Sequence, residues 1–257
     1  MIPKIIHYCW LGSKPIPETE QECIASWKVH FPDYKFKFWN EETFDISSSL
    51  FAKQAYEAKK YAFVSDYVRV KVLEQYGGIY FDTDYEVLMA FDDVLAEGYN
   101  ILGFENKTRI GTAFLAFKPH HPLIQAFLSY YDSHTFMDER GNIDMTANVV
   151  VLTDLLKEKG LECLRHTQIV EDMKIYPREY FYPKKLSNDN FNIFPETRGI
   201  HRFSCSWLSD KQKKRGNNWF WLNCVRPFLK RMRNIGLKVL GKESIRRIEI
   251  KIRNILK

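Results

Sequence analysis

Apolar and polar positions follow two different periods along most of the chain. Short apolar runs at 5–10 and 79–81 predict buried strands, because a strand covered on both faces does not alternate. Residues 34–39 alternate aromatic residues with Lys, which indicates a strand with one wet face. Helical patterns occupy 18–30 and 51–76, the latter as one or two helices. This strand–helix–strand opening is typical of a nucleotide-binding half-sheet.

The downstream pattern is less regular. Further strands are predicted at 100–104 and 112–117, and further helices at 121–131 and 146–159. Residues 160–200 are rich in Pro, Asn and aromatic residues, which predicts irregular backbone with short strands. We therefore expect one α/β domain over 1–210 and a separate tail over 211–257.

The tail differs from the rest of the chain in charge. Residues 211–257 contain fifteen Lys or Arg and two acidic residues, whereas the other 210 residues carry 23 basic and 30 acidic groups. Basic residues beside Trp219 and Trp221, followed by an amphipathic stretch, predict a helix on an anionic membrane surface. A solvated helix packed on the domain is the alternative. No nucleic-acid motif accompanies the charge, so we expect no nucleic-acid partner.

Composition indicates a globular protein. The 257 residues are 45% hydrophobic and 15% aromatic, enough for a well-filled core. The sequence contains neither a long apolar run nor a signal-peptide pattern, so we expect no membrane span and no secretion. Five cysteines without paired or metal-type spacing favour reduced thiols. We therefore expect a cytoplasmic protein, held by its tail at the inner face of the cell membrane.

Two aspartates mark the end of the strand predicted at 79–81. Asp82 and Asp84 are two residues apart, so both side chains can point to the same side of the sheet. The carboxyl end of such a strand faces the crevice where open α/β sheets bind ligands. Two close carboxylates repel, and a hard divalent cation keeps both ionised while leaving positions for phosphate oxygens. The spacing predicts a metal–diphosphate site, with a solvated turn as the alternative.

The flanking sequence resembles a known family. Residues 62–84 read A-x-x-S-D-x-x-R, then a helix, then Y-G-G-I-Y-x-D-x-D, which resembles the sugar-binding D-x-D region of glycosyltransferase family 32. The opening 2–12 and the H-x(4)-S-W element at 201–207 are similar to the first strand and closing element of that family. The likeness runs in the same order from residue 1 to about residue 208.

The resemblance implies a GT-A-like α/β domain, a nucleotide-binding mixed sheet flanked by helices, with the basic helical tail appended. It implies a retaining hexosyltransferase that uses Mn²⁺ (or Mg²⁺) and a UDP- or GDP-sugar donor. The expected acceptor is a glycan or lipid-linked glycan of bacterial surface (capsular) polysaccharide synthesis. Two other classes stay open: a metal-dependent phosphoryl-transfer enzyme, and a non-catalytic module that binds a membrane or a protein partner.

The same resemblance assigns roles to individual residues. Asp84 would ligate the ion, Asp82 would contact the donor and the ion, and His201 would be a third metal ligand. Asp66 would bind donor-sugar hydroxyls, and Arg69 the sugar or the diphosphate. The alternative for Asp66 and Arg69 is a salt bridge within one helix. The expected catalytic residues are Asp66, Arg69, Asp82 and Asp84.

Aromatic and hydroxyl side chains complete the expected donor site. Tyr8 and Trp10 would stack on the nucleobase, unless they are core aromatic residues. Ser206 would bind a phosphate or the ion, and Trp207 would cover the diphosphate. Weaker candidates for the donor or acceptor pocket, which are otherwise cap or turn residues, are Glu105, Asn106, Asp144 and Asn148.

Overall fold

The computed structural model describes residues 1–187 and 190–204. The first elements are β1 Ile5–Cys9, α1 Glu18–His30, β2 Lys35–Trp39, a 3₁₀ turn Ile46–Ser48, α2 Leu50–Glu57, α3 Tyr61–Tyr76, β3 Gly78–Phe81 and β4 Tyr85–Val87. The remaining elements are α4 Asp92–Ala96, β5 Asn100–Gly103, β6 Phe114–Phe117, α5 Pro122–Ser133, α6 Asn148–Glu158, β7 Gln168–Val170, β8 Met173–Tyr176, α7 Arg178–Phe181, β9 Lys185–Ser187, β10 Asn190–Phe191 and β11 Gly199–His201.

A seven-stranded mixed sheet organises the domain, in the order β2-β1-β3-β6-β5-β8-β7. Strands β2, β1 and β3 are mutually parallel, and β5 is parallel to β8. Strand β6 lies antiparallel between β3 and β5, so β3 and β5 run in the same direction. Strands β1, β2, β3, β5 and β8 therefore all end at one edge, here called the carboxyl edge. Open α/β sheets bind ligands at this edge.

Helices cover both faces of the sheet because successive strand residues point to opposite sides. Ile79 and Phe81 pack on one face with Trp27 of α1, together with residues of α4 and α7. Tyr80 packs on the other face with Val68 of α3, together with residues of α2, α5 and α6. This mixed sheet between two helical layers confirms the GT-A-like α/β class expected from the sequence.

A small two-stranded sheet brings a late segment of the chain to the carboxyl edge. Strand β11 pairs antiparallel with β4, with His201 opposite Tyr85 and Gly199 opposite Val87. A side chain at Gly199 would meet the Tyr85 ring at 2.6 Å, so only glycine allows this approach. Trp27 of α1 donates a hydrogen bond from Nε1 to the Tyr85 carbonyl at 2.6 Å, which fixes β4 against α1. Residues 112 to 116 positions apart in sequence thereby become neighbours.

Most predicted elements are present, with shifted boundaries. The helical pattern at 51–76 divides into α2 and α3 around Lys59, whose φ of 56 interrupts the helix. The helix expected at 146–159 starts at Asn148. Short strands occupy parts of 160–200, as expected. Among the described residues, no helix is both long enough and apolar enough to cross a bilayer. The tail over 211–257 lies outside the described residues, and its role stays a prediction.

Candidate active site

Asp82 and Asp84 lie in a tight turn directly after β3. The Asp82 N–H donates to the Ala113 carbonyl at 2.8 Å, and the Tyr85 N–H donates to the Asp82 carbonyl at 2.9 Å. One oxygen from each aspartate and one ring nitrogen of His201 all lie within 4.8 Å of one another. The convergence expected from the D-x-D spacing is therefore present. It arises from the turn, because the strand itself ends at Phe81.

His201 is the third member of this cluster. Its Nε2 lies 3.3 Å from Asp84 Oδ1. Its Nδ1 is buried and has no hydrogen-bond partner among the described residues. Burial opposes protonation of the ring, but the neighbouring charges of Asp84, Asp82 and Glu105 outweigh it and raise the pKa of His201 above its ordinary value. The carboxylates therefore favour the protonated imidazole beside Asp84.

Asp84 is held by the segment that follows β11. Its Oδ2 accepts hydrogen bonds from the Ser204 N–H at 2.9 Å and lies 3.2 Å from the Ser204 hydroxyl. That hydroxyl also lies 2.7 Å from Oε1 of Glu20, a residue of α1 that is 2% exposed. Burial alone would raise the pKa of Asp84, but His201 and the Ser204 donors lower it well below its usual range. Asp84 therefore stays ionised.

Asp82 is held by Arg69 of α3. The Arg69 guanidinium donates from Nη2 to Asp82 Oδ1 at 2.8 Å and from Nη1 to the Thr112 carbonyl at 2.7 Å. Nη2 also lies 3.1 Å from Asp66 Oδ1, so one arginine joins two carboxylates. The guanidinium is 4% exposed and packs over the Tyr80 ring at 4.9 Å. Burial and the charge of Asp84 raise the pKa of Asp82, while Arg69 opposes them. The contact of Arg69 with a donor stays a prediction.

Asp66 contacts both Arg69 and Asn148. Asn148, the first residue of α6, donates from Nδ2 to Asp66 Oδ1 at 2.6 Å. Asp66 Oδ2 has no hydrogen bond with any described residue. Burial raises the pKa of Asp66 to about 7, against the opposing effects of Arg69 and Asn148. Asn148 was only a weak candidate in the sequence, where a polar residue opening a helix reads as a cap. The fold places it against Asp66.

The aromatic candidates of β1 are partly engaged in packing. Tyr8 stacks on Phe38 at 5.1 Å between ring centres and meets Trp27 edge-on at 5.4 Å. Trp10 follows β1 at the carboxyl edge and donates from Nε1 to the Lys14 carbonyl at 2.7 Å. Stacking of either ring on a nucleobase stays a prediction. Ser206 and Trp207 lie outside the described residues.

The weaker candidates separate into two groups. Asn106 accepts from the Thr108 N–H at 3.0 Å, and Asp144 accepts from the Thr146 N–H at 2.9 Å, so both stabilise turns. Asp144 does not cap α6, whose N-cap is Ala147. Glu105, by contrast, is within electrostatic reach of Asp82 and His201. The structure thus brings Glu105 and Asn148 to the site.

Comparison with known proteins identifies the region that carries the two aspartates. Residues 17–100 match the profile of a family described as "Glycosyltransferase sugar-binding region containing DXD motif". The resemblance to this family that was expected from the sequence is therefore confirmed over these residues, and Asp82 and Asp84 are the aspartates of the DXD motif within them.

Three curated glycosyltransferases are similar to part of the chain. Lactosylceramide 4-alpha-galactosyltransferase of Rattus norvegicus is 27% identical over 130 residues, 49% of this chain and 33% of the relative. Inositol phosphoceramide mannosyltransferase 1 of Schizosaccharomyces pombe is 25% identical over 134 residues, covering 48% and 40%. Mannosyl phosphorylinositol ceramide synthase of Saccharomyces cerevisiae is 30% identical over 151 residues, covering 53% and 37%. The chain thus spans between a third and two fifths of each relative's length.

One solved structure is similar to the fold. The PaToxG glycosyltransferase has a TM-score of 0.47 and 21% sequence identity, over 62% of this chain and 69% of that chain.

Proposed function

We propose that the protein is a metal-dependent glycosyltransferase that takes a hexose from a UDP- or GDP-sugar. The observation that carries the proposal is the convergence of Asp82, Asp84 and His201 within a matched DXD region. The site lies at the carboxyl edge of the sheet, where a nucleotide would be expected. The phosphoryl-transfer and binding-module alternatives have no observation in their favour beyond the acidic pair itself.

The side chains fit a divalent cation. Two carboxylate oxygens and an imidazole nitrogen are ligand types that Mn²⁺ accepts, and Mg²⁺ prefers the oxygens alone. The Nε2 of His201 lies 3.3 Å from Asp84 Oδ1, so this ring nitrogen faces the carboxylates and can join them as a ligand. We assign Asp82, Asp84 and His201 as the residues that would hold Mn²⁺. A bound cation supplies Lewis-acid stabilisation of the departing diphosphate.

The chain's own residues prepare this site for a donor. Ser204 and His201 keep Asp84 ionised and oriented, and Arg69 fixes Asp82. Asp66 offers an oxygen with no hydrogen bond among the described residues, and its side chain is 15% exposed. We infer that donor-sugar hydroxyls bind this oxygen, with Asn148 holding the carboxylate in place.

The proposal extends to the acceptor and to the anomeric configuration of the product. The names of the three relatives all refer to a ceramide lipid. We therefore propose a lipid-linked glycan acceptor, used in bacterial surface polysaccharide synthesis at the inner face of the membrane. For retention, we propose attack on the leaving-group face. The bond from C1 to the diphosphate breaks with its electron pair, the acceptor oxygen bonds to C1, and the hydroxyl proton passes to the leaving phosphate oxygen.

The activity is tested by incubating the protein with UDP-glucose, UDP-galactose, UDP-N-acetylglucosamine and GDP-mannose, with and without Mn²⁺. We expect metal-dependent release of UDP or GDP from at least one donor. Release of a nucleoside monophosphate and a sugar phosphate would favour phosphoryl transfer instead. No release, together with no increase in Tm by UDP or GDP with Mn²⁺, would favour the binding module.

A further inference from the structure

Glu105 lies at the base of a hairpin that overhangs the carboxyl edge. It follows the bridged pair Phe104–Ile110, which extends the connection from β5 to β6. Its N–H donates to the Arg109 carbonyl at 2.9 Å, which closes the hairpin tip. The Ile110 N–H donates to Thr153 Oγ1 of α6 at 3.0 Å. The hairpin is thus tied to a helix, and the backbone of Glu105 is fixed.

The sheet topology places Glu105 at the same edge of the sheet as Asp82. Strands β3 and β5 run in the same direction on either side of β6, so Asp82 and Glu105 leave the sheet at the same edge. Two strand spacings separate their backbones by ~10 Å, which leaves room for a substrate group. Glu105 shares a face with Gly103, where an added Cβ would meet Phe181 of α7 at 2.9 Å. His201 also lies on this side, with its ring 6.3 Å from the ring of Tyr182.

The carboxylate of Glu105 has no hydrogen-bond partner among residues 1–187 and 190–204. It is half-buried, yet it forms no hydrogen bond or ion pair with any described residue. Burial raises the pKa of Glu105, and the charge of Asp82 raises it further. The charges of His201 and Arg178 oppose this increase. A partly desolvated carboxylate without a donor costs free energy, which a ligand hydroxyl would recover. A diphosphate cannot serve, because its negative charge would be repelled.

These observations assign a substrate group to Glu105. Building on the proposed function, we propose that the Glu105 carboxylate accepts a hydrogen bond from the acceptor hydroxyl before attack and so orients its oxygen toward C1 of the donor sugar. As the oxygen bonds to C1, the proton leaves this hydrogen bond and passes to the leaving phosphate oxygen. Asp82, Asp84 and His201 would hold the diphosphate side, and Glu105 would face them from the adjacent hairpin. During donor hydrolysis, water takes the place of this hydroxyl. The role is therefore measurable without knowing the natural acceptor.

The test uses the full chain, Mn²⁺ and whichever of the four nucleotide-sugars the wild-type protein hydrolyses fastest. Glu105→Ala and Glu105→Gln are compared with Glu162→Gln, a control at an exposed loop residue. We expect Glu105→Ala to lower kcat for hydrolysis ~10- to 100-fold with donor KM within about twofold, since it loses an interaction with the nucleophile only. Glu105→Gln keeps an acceptor oxygen and should lose less. The control should match the wild type.

Each other outcome decides against the role. An unchanged kcat in both Glu105 variants, beside an active wild type, would refute this assignment and leave the proposed function standing. A raised donor KM with unchanged kcat would move Glu105 to the donor site and equally overturn the proposal. A wild-type protein that releases no nucleoside diphosphate would refute the glycosyltransferase itself. Tm is recorded for every variant, and Glu105→Gln carries the test if Glu105→Ala does not fold.

Discussion

Each carboxylate of the site is held by different partners, although the residues are chemically alike. Asp84 is held by Ser204 and His201, which lower its pKa. Asp82 and Asp66 share Arg69, and burial raises the pKa of both. Because the pKa of Asp84 is lowered and those of Asp66 and Asp82 are raised, these aspartates can take separate roles. At this scale, function depends on which donor faces which oxygen.

Replacing Asp84 tests the metal assignment. We expect Asp84→Asn to lower Mn²⁺-dependent donor turnover by about 100-fold or more, because the Lewis-acid contribution is worth several kcal/mol. The amide oxygen still accepts from the Ser204 N–H, but the charge interaction with His201 is lost, so Tm without metal should fall while the fold is retained. Asp154→Asn, at an exposed residue of α6, serves as the control. Full activity of Asp84→Asn would remove the metal assignment.

The raised pKa of Asp66 predicts a pH dependence of donor binding. Below a pKa of about 7 this carboxyl is protonated and loses a charged acceptor for sugar hydroxyls. Donor KM should therefore rise as the pH falls from 8 to 6. In the Asp66→Asn variant the donor KM should be high and constant over the same pH range. The same pH dependence of KM in both proteins would contradict the role of Asp66. In folding, the same shift favours the native state most at low pH, and this contribution is lost as the pH rises to about 7.

At the scale of elements, the site depends on how residues 201–204 are attached to the domain. Strand β11 pairs with β4, and Ser204 contacts both Asp84 and Glu20. Glu20 also accepts from the Thr19 hydroxyl at 2.5 Å. Helix α1 therefore supports Asp84, the proposed metal ligand, through one serine.

Removing this support should affect both stability and metal use. We expect Glu20→Ala to lower the free energy of unfolding by about 1–3 kcal/mol, the usual cost of leaving buried hydrogen-bonding groups unpaired. We also expect a higher Mn²⁺ concentration for half-maximal activity, because Ser204 orients Asp84 less well. Glu22→Ala, at an exposed position of the same helix, is the control. Equal denaturation midpoints for the two variants would show that the support is unimportant.

Strand β3 starts at Gly78, where both the backbone conformation and the close approach of β1 require a glycine. Gly78 has a φ of +99, and an added Cβ would lie 2.5 Å from the Ile5 carbonyl oxygen of β1. Gly160 has a φ of +94 with nothing within 4 Å. We expect Gly160→Ala to cost ~1 kcal/mol through backbone strain, and Gly78→Ala at least ~2 kcal/mol more, because β1 and β3 must separate. Urea denaturation of both variants measures the difference, and equal costs would exclude the contact as a cause.

At the scale of the whole chain, charge is divided between a mildly acidic body and a basic tail. We propose that the tail attaches the protein to anionic membranes. Replacing Lys211, Lys213, Lys214 and Arg215 with Gln in the full chain should reduce sedimentation with vesicles rich in anionic lipid. Donor hydrolysis in solution should be unchanged. The matched control neutralises exposed lysines of the body, Lys53, Lys59, Lys60 and Lys107. Equal sedimentation of the two variants would contradict the role of the tail.

Local patterns predicted much of this fold because they depend on neighbours in sequence. The strand before Asp82, the helix that carries Asp66 and Arg69, and the glycines between them all follow from periodicity and turn chemistry. Boundaries were less predictable, since the break at Lys59 and the start of α6 at Asn148 depend on packing. Asn148 and Glu105 stood out only weakly, because nothing in their local sequence distinguishes a site residue from a cap or turn residue.

The sequence by itself determined the class of the sheet, the family of the DXD region and the acidic pair, since each is written in short, contiguous residue patterns. Only the tertiary structure decided which atoms of the site residues contact one another. His201 reaches Asp84 through the pairing of β11 with β4, Asn148 of α6 reaches Asp66 of α3, and Glu105 follows β5, two strands from β3. The physical reason is that sheet order and helix packing set these contacts, and both are determined by the burial of the whole core rather than by any local segment.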